Sequence, residues 1–276
     1  MANLRFTKKN EEEFQNNIIK ARILTEKFHE SLKPLVENLA KINQAFQESS
    51  KYVNNIMKPL TDFSEKLKEL VNLARESAPE NIKKLADYGW YLPFSSSILQ
   101  AHDWANYISE DKSLVWVEQQ IINLIDRHQH ELIEELFSNF PERKGLIESA
   151  LKAHHYKDYN LSIPVFLSQS DGICKKITGY AMFSGSYEEN GEKHLPNTRK
   201  WANQQSIDSL YVGFLEPLKT KLGFNKYENS KDNYIGFTRH SVLHGESLEY
   251  GTEVNSYKAM CLLFYIGYLV NYLVNE

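Results

Sequence analysis

The sequence is poor in the residues that punctuate a chain. Its 276 residues hold 12 glycines and 8 prolines, which excludes the closely spaced turns of a β-sandwich or barrel and suits long helices. Cysteine is scarcer still. Cys174 and Cys261 both lie in apolar runs without Cys or His at metal-ligand spacing. They read as reduced core thiols in a reducing compartment, not as a disulfide framework or a zinc site. Long hydrophobic runs are missing as well. The most apolar stretch, Ala259 to Val270, ends in Asn271 and falls short of the roughly 20 residues that span a bilayer. A buried C-terminal helix is the expectation there, with no membrane partner. Met1 to Glu13 lacks the apolar core of an export signal, and the chain is therefore expected to be cytoplasmic. A strong excess of one charge is also lacking: the net value of −4 argues against indiscriminate coating of nucleic acid.

What is present first is periodicity. From Phe14 to Leu70 one heptad frame runs through Ile18, Ala21, Thr25, Phe28, Leu32 and onward to Leu67. Fifteen of its seventeen positions are apolar, over eight heptads. A stripe so narrow and long fits helices packing along a seam, as a coiled coil or an antiparallel hairpin. Pro34 and Pro59 each remove a backbone donor, so each is expected to kink a helix or begin a new one. Composition shifts at Glu76 to Glu80, around Ser77 and Pro79, which sets a boundary between residues 1–79, a heptad-patterned helical region, and residues 80–276. In the second region Gly89 to Pro93 reads as an irregular entry segment. Helices are expected at about Ser97–Ile108, Ser113–Phe137, Glu142–His154, Leu161–Thr178, Ile207–Leu222 and Thr252–Val274, with a further one ending near His244-Gly245. Ser184 to Asn203 lacks periodicity and reads as a long surface loop. The fold class is all-α, with no β-alternation.

The chemistry gathers in Phe237-Thr238-Arg239-His240-Ser241-Val242-Leu243-His244-Gly245. Glycine directly after His244 signals a helix end. The orphan carbonyls and negative dipole end there favour imidazolium. A histidine so placed still titrates near neutrality and serves as a general acid or base. Arg239 adds a permanent positive fork that matches phosphate oxygens. From Lys193 to His244 eight Lys or Arg face four acids, a local +4, with Trp201, Tyr211, Tyr227 and Tyr234 interleaved. Such a segment either contacts RNA, its aromatics stacking on unpaired bases, or is a solvated face over core aromatics. His240 and His244 are also spaced as a helical zinc pair, but a third ligand and a His-Glu-x-x-His pattern are missing, so no metal or cofactor is called for. Asp171, on a helix flanked by apolar residues, is a secondary candidate that would orient His244 or serve as a structural carboxylate. Thr252 and Asn255 read as caps of the last helix.

Arg239-His240-Ser241-Val242-Leu243-His244 resembles the signature of the HEPN superfamily: an arginine, a polar residue directly after it, and a histidine after four to six intervening residues. Its continuation, Gly245 and then Tyr250-Gly251-Thr252 opening the last helix, is similar to bacterial HEPN-like proteins associated with abortive infection. Ile163 to Ile173 and Gly89-Trp90 resemble segments of the same group. The resemblance covers roughly Leu85 to Val274. It implies a HEPN-like helical bundle that forms a homodimer or higher homo-oligomer, with two Arg–His helices facing each other. It further implies a metal-independent endoribonuclease in an anti-phage or toxin role, acting on RNA and held by an antitoxin or defence-system partner. Arg239 would hold the phosphate, His244 would move the proton and His240 would support them. The rival reading is a HEPN-shaped interaction or scaffold protein that cuts nothing.

Overall fold

The computed structural model describes residues 32, 36–38, 52–93, 96–110, 113–187, 194–205, 211–221, 223–225 and 238–269. The chain forms two compact units, Met1–Val71 and Asn72–Glu276. Most of the heptad stripe, Pro34, Tyr227 and Tyr234 lie outside the described residues.

Helix α1 (Tyr52–Asp87) is 36 residues long. It stays helical through Pro59 and also through Ser77–Glu80, where the change in composition pointed to a boundary. In the first unit its side chains Phe63, Leu67 and Leu70 are exposed. In the second unit Ala74, Ala78, Ile82 and Leu85 are buried, four- and three-residue steps that keep one face of the helix in the core.

The second unit follows the predicted order of helices closely. Helix α2 (Ile98–Ser109) begins at Ser97, whose hydroxyl accepts from the Leu99 N–H. Helix α3 (Leu114–Asn139) begins at Ser113, which accepts from Trp116 N–H. Both serines satisfy amides that a helix start leaves without partners. A 3-10 turn at Pro141–Arg143 leads into α4 (Lys144–His155). Helix α5 (Tyr159–Thr178) ends at Gly179, in the left-handed conformation that glycine adopts without strain.

Three differences from the sequence reading stand out. The expected loop after Ser184 contains a short antiparallel hairpin, β1 (Gly185–Tyr187) with β2 (His194–Pro196), in register Gly185 to Pro196. It also contains the one-turn helix α6 (Thr198–Ala202). Three-residue strands are too short for alternation to show. Of the expected α-helix over Ile207–Leu222, the described residues form a 3-10 helix, Val212–Leu218; apolar residues three apart, as at Val212, Leu215 and Leu218, suit either kind of helix. Gly213 lets this turn lie close on the α1 backbone, for a Cβ there would stand 3.1 Å from the Ala78 carbonyl carbon. The remaining helices are α7 (Arg239–Leu243) and α8 (Glu253–Tyr268).

The centre of the core is α8. Every residue from Asn255 to Tyr268 is buried, as expected for a helix apolar on all sides. It packs against α5 and α3, and Gly267 clears room for Leu136 of α3. Polar side chains within this core are paired. Lys258 Nζ lies 2.7 Å from Glu118 on α3 and over the Trp90 ring. Among the described residues no helix is long and apolar enough to cross a membrane. Cys174 and Cys261 are free and buried, and burial pushes the Cys174 thiol up to about 12.

Candidate functional site

The turn that carries the motif is fixed at both ends by its own residues. Thr238 is the N-cap of α7, and a reciprocal capping box closes over it. The Ser241 N–H donates to Thr238 Oγ1 at 3.0 Å, and the Thr238 N–H donates to Ser241 Oγ at 3.0 Å. At the other end His244 is the C-cap and Gly245 follows at φ +73°. The Glu246 and Ser247 amides return to the Ser241 carbonyl at 2.8 and 3.0 Å. Val242 and Ser241 are buried beneath the turn, while His240 and His244 are exposed. A five-residue helix is thereby held rigidly enough to present side chains. It contains few aligned peptides, so the dipole effect expected at His244 is correspondingly small.

Arg239 turns toward α5. Its Nη2 lies 3.5 Å from Asp171 Oδ2, with the two side chains 31% and 20% exposed. The guanidinium carbon stands 5.6 Å from the Phe183 ring centroid. Asp171 Oδ1 in turn accepts from the Phe183 N–H at 3.4 Å. Asp171, Phe183 and Arg239 therefore brace one another, and the buried Arg239 Nε is left without a hydrogen-bond partner. The expected line from Asp171 to His244 is replaced by this one: the carboxylate positions the arginine.

The two imidazoles form a second group. The rings of His240 and His244 have centroids 4.3 Å apart, the i to i+4 neighbours of one helical turn. His240 Nε2 is 3.3 Å from Glu246 Oε1, both side chains about half exposed. Successive helical residues turn by about 100°, so the arginine that faces Asp171 and the paired imidazoles leave the turn on different sides. One copy of the chain presents an arginine anchored against α5 and, next to it in sequence, a solvent-facing pair of titratable rings. Among the described residues no group of three His, Cys, Asp or Glu side chains is placed to hold a metal ion.

Phe183 and Glu246 were missed by the sequence reading. Glu246 follows the motif directly. Phe183 is distant in sequence and carried no spacing signal. The basic segment is only partly described. Lys219 pairs with Glu216 at 2.7 Å, and Trp201 and Tyr211 pack against the core. Both aromatics are partly buried, with one side against the core. Thr252 caps α8 as expected, accepting from the Asn255 N–H at 3.2 Å.

No protein-family model, curated protein or solved structure matches this chain.

Proposed function

We propose that the chain is a metal-independent endoribonuclease of HEPN type, acting on RNA in the cytoplasm in an anti-phage or toxin role, with an antitoxin or defence-system partner to restrain it. The observation that carries this reading is the exposed His240–His244 pair, rings 4.3 Å apart, directly after an arginine braced by Asp171. Histidine is the side chain best suited to exchange protons near neutral pH. Two of them side by side can serve opposite ends of one displacement. In that reaction the 2′-hydroxyl of RNA attacks the adjacent phosphorus while one imidazole takes its proton. The 5′-oxygen leaves with a proton from an imidazolium, and the product ends are a 2′,3′-cyclic phosphate and a 5′-hydroxyl. Arg239 supplies fixed positive charge for the phosphorane through N–H groups not engaged by Asp171. Because arginine and imidazoles diverge within one copy, the reading assigns the complete site to two copies facing each other across their α7 turns.

The test is cleavage of total RNA and tRNA by the purified chain in EDTA, with product ends analysed. Cyclic phosphate ends that disappear with His244→Ala support the reading, and a chelator-sensitive activity contradicts it. A second reading draws on one observation, the Arg239–Asp171 ion pair over Phe183, which gives the arginine a purely structural task. On that account the chain is a non-catalytic helical scaffold, and wild type and variant are equally silent toward RNA.

A further inference from the structure

Among the described residues, the exposed stripe on α1 has no counterpart. Phe63 is 65%, Leu67 46% and Leu70 43% exposed, three large apolar side chains at i, i+4 and i+7 on a helix whose next buried residue on that face is Ala74. Exposed apolar stripes of this kind mark contact surfaces. The sequence says what sort of contact. The same three-four spacing continues without a phase break from Phe14 to Leu70, straight through Ser49-Ser50-Lys51. A hairpin folding back on itself does not need its loop to preserve the phase, whereas two copies of a continuous seam do.

The positions beside the seam agree. Taking Leu67 and Leu70 as a and d, the charged flanking residues are Arg22 and Lys66. Their cross-strand neighbours in a parallel pair, five residues away, are Asn17 and Val71, so identical chains meet without like-charge repulsion. The two polar positions in the stripe, Thr25 and Ser49, face themselves in a parallel, in-register pair and can share hydroxyl hydrogen bonds. Antiparallel pairing over the full stripe sets each against an apolar layer, where the hydroxyl has no partner on the other chain.

We propose that a second copy of this chain covers the Phe63–Leu67–Leu70 face, α1 pairing with α1 in parallel and in register. The inference does not depend on the nuclease reading: self-association without RNA cleavage leaves it standing. It does bear on that reading only in so far as that reading also calls for two copies of the chain.

The experiment uses the full chain. Light scattering on wild type at tens of micromolar should give at least twice the monomer mass, and Leu67→Glu/Leu70→Glu should return it to the monomer mass with an unchanged helical circular dichroism spectrum. Register is read separately with Leu70→Cys under mild oxidant. Cys174 and Cys261 are buried, so the new thiol is the one that reacts, and a self-crosslinked dimer is expected. A wild type of monomer mass, a double variant that stays associated, or a Leu70→Cys chain that associates without crosslinking would each overturn the proposal.

Discussion

His154 and His244 are the same residue in opposite surroundings. His154 sits in the knot between α4, α5 and α8. Its Nδ1 is 2.8 Å from Ser256 Oγ, which is itself 2.8 Å from Ser162 Oγ, and the edge-on ring of Tyr257 closes over it. All three polar residues of that chain are buried. His244 caps a five-residue turn and is exposed, with the neighbouring His240 imidazole against it. The buried histidine has its Nδ1 engaged by Ser256 inside the core, away from any substrate. The exposed one has donors and acceptors to offer. Buried polar groups here hold helices together, and exposed ones on a fixed turn are available for chemistry.

That contrast can be broken at several points, and the largest effect lies in the core. Lys258→Ala leaves the largely enclosed Glu118 carboxylate, 13% exposed, without its cation, so it should cost about 2 to 3 kcal/mol, measured by urea denaturation. Replacing both partners, as Lys258→Met with Glu118→Leu, should recover much of that loss. If the single variant is as stable as wild type, the pair is not the strut described.

His154 comes next. Burial, reinforced by His155, lowers its pKa from the ordinary 6.5, while Asp126 and Glu253 oppose the shift. The unfolded chain then binds the proton more readily than the folded one. Stability from this group is complete above pH 6.5 and drains away as pH falls below it. Denaturation midpoints at pH 7.5 and 5.5 should differ in that direction, and His154→Gln should flatten the difference. A midpoint that rises on acidification would contradict the buried neutral histidine.

The turn itself should be cheaper to disturb. Thr238→Ala removes the reciprocal cap of α7 and should cost about 1 kcal/mol. Arg239→Ala breaks a partly exposed ion pair and should cost about 1 kcal/mol or less. His244→Ala should fall within about 0.5 kcal/mol of wild type, as exposed substitutions do.

Helix positions were legible where capping and periodicity agreed. Ser97, Ser113 and Thr252 each marked a helix start that the structure keeps to the residue. The hairpin and the 3-10 turn were not legible, because three-residue strands carry no alternation and apolar residues three apart suit either kind of helix. At the site, the end of the turn could be read from Gly245, and the pairing of His240 with His244 from their spacing; the Thr238 cap was not read. Asp171 was found, as an aid to His244 or as a structural carboxylate, but its pairing with Arg239 was not foreseen: sequence distance says nothing of which side of α5 faces Arg239. Phe183 was not found at all, since its role depends on a contact with Arg239, far away in the sequence.

The measurement that bears most directly on the account is the rate of RNA cleavage in EDTA by His244→Ala beside wild type, with the melting temperature taken on the same samples. The account predicts a fall of about 100-fold or more with the melting temperature unchanged. Equal cleavage by the two proteins, or none by either, would contradict it.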